Sequence, residues 1–209
     1  MSAELGLPAS ITTWLLLASI PLALAACTAY TKIAVVLAAL RSGLSAERLL
    51  PLSSMLALAL VITAIVMLPT AEACLDQLEI AGGAAALDTA PFATAARVLD
   101  PLWTFMAEQV EPADLELFAD LASAELGPSH PALLAPAFLL SQLRAGLALA
   151  AMILLPFMVV ELICAQALVL LGLSNVSTTA ISLPAKLLLF LAADGWTVIV
   201  SGLIEGYAT

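Results

Sequence analysis

Four long apolar blocks dominate the chain, and shorter polar stretches separate them. The blocks lie at residues 11–40, 51–68, 133–171 and 181–204. A single helix over the thirty residues of the first block would be ~45 Å long, whereas the hydrocarbon core of a bilayer is ~30 Å thick. The first and third blocks are therefore too long for simple spans. Their internal prolines, among them Pro21, Pro136 and Pro156, predict kinked helices.

The polar stretches predict how the blocks are connected. The connector RSGLSAER at 41–48 contains a glycine and predicts a turn, so the first two blocks form a helical hairpin. The second block is predicted to end at Pro69 and Thr70. The stretch SNVSTT at 174–179 joins the third and fourth blocks into a second hairpin. Between the hairpins, the Ala/Gly-rich residues 81–91 predict a flexible loop.

The middle of the chain also has two candidate amphipathic helices. One is predicted at 101–110, with Asp100 as its N-cap and Pro101 at the first helical position. The other is predicted at 112–126, and the sequence GPSHP at 127–131 ends it. The predicted organisation is an N-terminal helical hairpin at 1–70, a partly helical insert at 71–132 and a C-terminal helical hairpin at 133–209.

Composition places this all-α organisation in a membrane. The chain is 63% apolar and 11% charged, with a mean hydropathy of +1.13, whereas soluble domains are about 45–50% apolar and about 25% charged. Alanine and leucine make up most of the apolar content, and aromatic residues only 5%. Small side chains let helix backbones approach closely, and the alternating ten-residue segments of a membrane barrel are missing.

The formal charge of −10 lies in the insert. Residues 71–130 hold eleven acids and one arginine, Arg97, while the rest of the chain has five acids and five bases. Nucleic-acid binding is disfavoured because phosphate contacts need a basic face. Arg41 and Arg48 flank the first hairpin turn, so the bias of basic residues predicts that this turn faces the cytoplasm. The acidic insert then faces the periplasm of a bacterium.

Several charged residues fall inside or beside apolar blocks, where an ionisable side chain is a functional candidate. They are Lys32, Arg144, Glu161, Lys186 and Asp194. One interpretation is a proton or ion relay in which Glu161 or Asp194 titrates against Lys186 or Arg144. The other is that these charges pair between helices or subunits, or reach the membrane surface. The sequence lacks the paired broken helices of many secondary transporters.

Catalysis has little support in the sequence. It contains no nucleophile elbow, no zinc-protease motif and no glycine-rich phosphate loop. An acid beside a turn is one interpretation of Asp194 and Gly195, and a helix interrupted near its end is the more ordinary one. The single histidine, His130, and the three scattered cysteines do not have the spacing of a metal site. We therefore expect a protein that is not an enzyme and that uses no metal or cofactor.

Motifs along nearly the whole chain resemble one family. They are TAYTKIAVVLAALRSGL at 28–44, DLELFADLA at 114–122, PAFLLSQLR at 136–144, LPFMVVELICAQALVLLGL at 155–173 and ISLPAKLLLFLAADGW at 181–196. In this order they are similar to the FliP/SctR family, the inner-membrane export-gate proteins of flagellar and injectisome type III secretion systems. The residues 1–10 lack a basic signal segment, which favours the SctR-like, non-flagellar branch over the flagellar one.

The resemblance implies a passive channel. It predicts a homo-oligomer, a pentamer, joined by the smaller SctS/FliQ-like and SctT/FliR-like subunits in the bacterial inner membrane. The assembly would project toward the periplasm, contact membrane lipid and conduct unfolded secretion substrates. Lys32, Arg144, Glu161, Lys186 and Asp194 would then be buried or inter-subunit charges.

The chain departs from the family pattern at the loop that would seal the pore. Family members commonly have consecutive methionines there, whereas this chain has Leu173, Ser174 and Asn175. Flexible thioethers suit a deformable seal, so the substitution marks a divergent member and an altered gate loop. Two other functions stay open at this point: a small ion or proton channel using Glu161, Lys186 and Asp194, and a membrane scaffold that does not transport.

Overall fold

The computed structural model describes Ala18 and residues 25–83, 91–122, 130–173 and 175–207. All regular secondary structure in these residues is helical, which confirms the all-α prediction. We label the longer helices in chain order. They are α1 (Tyr30–Gly43), α2 (Leu52–Ile80), α3 (Pro91–Val98), α4 (Asp100–Glu108), α5 (Pro112–Ala122), α6 (Pro131–Leu170), α7 (Thr178–Ala192) and α8 (Gly195–Glu205).

Helix α1 lies at the centre of the molecule and packs against α6 and α2. Its core side chains include Ile33, Leu37 and Leu40, each with 0% exposure. Residues 25–27 are helical as well, but the helix is interrupted at Thr28 and Ala29 before α1 begins. The described part of the first apolar block is therefore broken, as its length predicted. The rest of the block, apart from Ala18, lies outside the described residues.

The connector after α1 is held by Arg41. Its Nε donates to the Leu50 carbonyl oxygen at 2.5 Å, and its Nη2 donates to the Glu47 carbonyl oxygen at 2.9 Å. These bonds satisfy carbonyls that follow the last turn of α1, where a cation also complements the helix dipole. Residues 41–43 continue α1, so the predicted turn lies at 44–51, and α2 packs back against α1.

Helix α2 continues past its predicted end. Pro69 lies inside it, and the helix ends at Ile80. A proline removes one backbone hydrogen bond and bends a helix, but a hydrophobic environment can hold the helix together on both sides. Pro69 and Thr70 therefore mark a change in composition, not the end of a helix. Helix α2 contacts α3 and α4 of the insert.

The insert forms short helices close to those predicted. Helix α4 starts at Asp100, which lies in its first turn, and the N-cap position belongs to Leu99. Helix α5 ends at Ala122, and the predicted continuation to 126 lies outside the described residues, as do most of the loop at 81–91 and of the break at 127–131. A small apolar core forms where the insert meets α6. It consists of Met106, Leu134 and Phe138.

Helix α6 is a continuous helix of 40 residues, with Pro136 and Pro156 inside it. The His130 side chain caps it by accepting a hydrogen bond from the Ala132 N–H at 3.2 Å. At 1.5 Å per residue α6 is ~60 Å long. All sixteen residues between Arg144 and Glu161 are apolar. Within the described residues, α2 and α6 are each long and apolar enough to cross a membrane.

The fourth apolar block is bent, not straight. Helices α7 and α8 meet at an angle of 61°. The bend lies at Asp194, whose backbone adopts the left-handed conformation with φ 49°. The interruption predicted at Asp194 and Gly195 is therefore confirmed. If the bent pair counts as one span, the described residues contain three candidate spans.

Candidate functional site

Lys186 is a buried cation at the join of three elements. It lies on α7, and its residue exposure is 1%. Its Nζ is 2.6 Å from Glu161 Oε2 on α6, and it donates to Ser45 Oγ at 3.1 Å in the connector after α1. Ser45 has a positive φ of 55°, an uncommon conformation for a residue other than glycine. Lys186 thus ties the second hairpin to the turn of the first.

The two partners of this pair are buried unequally. The Lys186 side chain is 2% exposed, whereas that of Glu161 is 43% exposed. Glu161 borders an open, largely apolar groove of ≈ 450 Å³ lined by Leu155, Met158 and Leu162 among others. A buried ammonium is costly without a compensating anion. The carboxylate of Glu161 therefore offsets the free-energy cost of burying Lys186.

A second charged pair joins the insert to α6. Asp114 on α5 is 1% exposed, and its Oδ1 is 2.8 Å from Arg144 Nη2. Ser141 Oγ donates to Asp114 Oδ2 at 2.7 Å and accepts from the backbone N–H of Glu111 at 3.0 Å. One ion pair and two hydrogen bonds therefore fix the start of α5 against α6.

Asp114 is a residue that sequence reasoning missed, because it was one of eleven acids in the insert. A signal was present in the helical spacing. Asp114 lies four residues before Phe118, so the two share one face of α5. An acid on a face with apolar residues is a candidate for burial with a partner.

Lys32 lies against the face of the Tyr207 ring. Its Nζ is 4.1 Å from the centroid of the Tyr207 ring, a cation–π distance. The Tyr207 hydroxyl donates to Gln142 Oε1. Burial raises the pKa of the Tyr207 phenol, so it stays a neutral donor at physiological pH. Gly146 allows this arrangement, because a Cβ there would be 3.3 Å from the Lys32 backbone.

Asp194 and the loop after α6 stand apart from these clusters. The Asp194 side chain makes no capping hydrogen bond to α8, and neither salt bridge among the described residues includes it. Gly172, with φ +68°, ends α6. Leu173 and Asn175 after it are exposed, and Ser174 lies outside the described residues. The structure therefore brings together Lys186 with Glu161, but not with Asp194.

The arrangement is suited to fixing helices in place. Each of the two charged pairs joins two elements of the chain, and so does the contact between Lys32 and Tyr207. In each of them one counter-charge or one aromatic ring is the partner of the charged group. These contacts are not a chain of titratable groups. Over the described residues no group of three or more His, Cys, Asp or Glu residues could hold a metal ion. Arg144 and Glu161 are separated by ~25 Å along α6, so their pairs do not form a continuous relay.

Comparisons with known proteins agree on one family. The model described as "FliP family" matches residues 13–203. The hypersensitivity response secretion protein HrcR of Ralstonia nicotianae is 32% identical over 91% of this chain and 93% of its own length. The flagellar biosynthetic protein FliP of Caulobacter vibrioides is 33% identical over 86% of this chain and 68% of its own length.

A third relative is named as a virulence protein. The virulence protein YscR of Salmonella typhimurium is 30% identical over 92% of this chain and 93% of its own length. The matches include proteins named for secretion and proteins named for flagellar biosynthesis, and each of the three spans at least 86% of this chain. Because a family model matches most of the sequence, the chain belongs to the FliP family.

Proposed function

We propose that the chain is a core subunit of a type III secretion-type export gate in the bacterial inner membrane. It forms a pentameric channel with SctS/FliQ-like and SctT/FliR-like subunits, projects toward the periplasm and conducts unfolded substrates without catalysing a reaction. The observation that carries this proposal is the family match over residues 13–203. Relatives named for secretion and for flagellar biosynthesis both align over most of the chain, and the SctR-like branch is our choice between them.

The surface of α6 supports assembly with other chains. Large apolar side chains along it are more than half exposed, among them Leu147, Met152, Leu155, Met158 and Leu162. Lipid or neighbouring protein must cover such a surface. Glu161 lies among these residues with 43% of its side chain exposed. A carboxylate facing lipid is costly, whereas a polar group of a neighbouring chain can satisfy it.

The proposal predicts the mass of the purified complex. When the chain is co-expressed with its FliQ-like and FliR-like partners, we expect a complex with about five copies of this chain. Mass determination in a mild detergent measures the copy number. A monomer under these conditions would contradict the proposal, and a monomer that conducts protons in liposomes would favour the small-channel alternative. A complex that assembles and passes neither ions nor substrate would favour the scaffold.

We also propose that the loop at Leu173, Ser174 and Asn175 closes the pore. Its polar residues make a poorer seal than flexible apolar side chains would. Replacing Asn175 with methionine should therefore leave assembly intact and lower the ion conductance of the assembled complex. Conductance in planar bilayers measures this effect, with Asn175→Gln as a polar control of similar size. An unchanged or higher leak in Asn175→Met would exclude this loop as the seal.

A further inference from the structure

The described residues form two apolar cores, and α6 contributes to both, with Phe157 in one and Phe138 in the other. The hairpin core is built around α1 and includes Ile33, Leu37 and Leu40. The insert core consists of Met106, Leu134 and Phe138, with Phe105 packed against it. Met106 of α4 therefore packs directly on α6, and α4 also contacts α2. A further contact joins α4 to α1 and to the end of α8.

Tyr207, which follows α8, makes that connection. Its ring stacks on the Phe105 ring of α4, with centroids 6.1 Å apart and an interplanar angle of 25°. Phe105 is in turn 6.0 Å from Phe138 in the insert core. Tyr207 itself packs against the hairpin core. One side chain therefore contacts both cores.

The other side of Tyr207 is fixed by polar contacts to two helices. Its hydroxyl donates to Gln142 on α6 and is 3.4 Å from the carbonyl oxygen of Ala29. Lys32 of α1 lies over the ring face. The backbone before it is also close, since a Cβ at Gly206 would be 3.5 Å from Lys32 Nζ. These contacts hold the ring in one position between α1, α4 and α6.

We propose that Tyr207 is a latch that joins α4 to α1 and to the end of α8, and that withdrawal of residues 206–207 loosens the packing of α4 on α2 and α6. Helix α5 is held separately, because Asp114 accepts a hydrogen bond from Ser141 and forms an ion pair with Arg144 of α6. The loosening is therefore confined to α4 and leaves α5 in place. The latch acts within one chain, so it does not depend on whether the chain forms a channel.

Hydrogen–deuterium exchange of the full chain in detergent tests the latch. In Tyr207→Ala, amides of α4 should exchange faster by on the order of tenfold, while those of α5 and α6 keep their rates. In Tyr207→Phe the ring contacts remain and only the hydroxyl contacts are lost, so the increase should be smaller. Phe105→Leu changes the stack from the insert side and should also speed exchange in α4.

Two further variants separate the latch from general loss of stability. Leu203 lies in the hairpin core with 2% exposure, so Leu203→Ala should lower the melting temperature without a selective change in α4. Asp114→Ala should speed exchange in α5 instead. Unchanged exchange of α4 in both Tyr207→Ala and Phe105→Leu would overturn the proposal. An equal increase in Leu203→Ala would overturn it as well, because the effect would then be general.

Discussion

Replacing Gly195 with alanine should destabilise the bend between α7 and α8 more than the addition of one methyl group would suggest. A Cβ at this position would lie 2.2, 2.3 and 2.9 Å from three carbons of the Phe190 ring. The ring has little freedom to move, because it packs against Phe157 at 6.4 Å and edge-on against Trp196 at 5.2 Å. Forcing a methyl group into a filled site costs about 1–3 kcal/mol, which corresponds to a fall of roughly 2–12 °C in melting temperature for a chain of this size.

Gly202 offers a matched control on the same helix. A Cβ there has nothing within 4 Å, and glycine inside a helix is less favourable than alanine by about 0.5–1 kcal/mol. Gly202→Ala should therefore keep or raise the melting temperature that Gly195→Ala lowers. Adding Phe190→Leu to Gly195→Ala should make the combined loss smaller than the sum of the two single losses. Equal melting temperatures for the two glycine variants would show that Phe190 yields without cost.

Neutralising Glu161 should cost more stability than removing the buried partner, Lys186. Glu161→Gln leaves the ammonium of Lys186, 2% exposed, without an anion. Breaking a buried pair in this way costs roughly 3–5 kcal/mol, and the half-exposed position of Glu161 places the expected loss at the lower end. Lys186→Met leaves behind a carboxylate that is 43% exposed, so its loss should be smaller. Thermal unfolding in detergent compares the variants.

The double variant tests the reason for this asymmetry. Once Lys186 is methionine, the change of Glu161 to glutamine removes no partner and should cost little. The combined variant should therefore be about as stable as Lys186→Met alone and more stable than Glu161→Gln, a coupling that a double-mutant cycle measures. A Lys186→Met protein that is less stable than Glu161→Gln would show that packing of the lysine side-chain carbons, not the lysine charge, stabilises the contact between α6 and α7.

The parts of the fold that depend on local pattern were predicted from the sequence. Apolar block length predicted the long helices, and Asp194 with Gly195 marked the interruption between α7 and α8. The end of α2 was not predicted, because a proline signals a lost hydrogen bond but not the tertiary contacts that keep a helix going. Pro69 therefore looked like a boundary although α2 reaches Ile80.

The partners of the charged residues could not be predicted, because they are distant in sequence. Lys186 and Asp194 are eight residues apart, yet the lysine pairs with Glu161 and reaches Ser45, 141 residues away. Which of several acids meets a given base depends on how helices cross, and periodicity does not specify crossing partners. Tyr207 was missed for the same reason, since its contacts to Phe105 and Gln142 join residues far apart in the chain.

The spacing of charges on α6 has a consequence for the membrane around it. The sixteen apolar residues between Arg144 and Glu161 measure ~24 Å, about 6 Å less than an average hydrocarbon core. In lipid alone this hydrophobic mismatch would require local thinning of the bilayer, at fractions of a kcal/mol per Å. Covering α6 with neighbouring protein removes that cost, so a thin bilayer should favour the separated chain and a thick bilayer the assembled one.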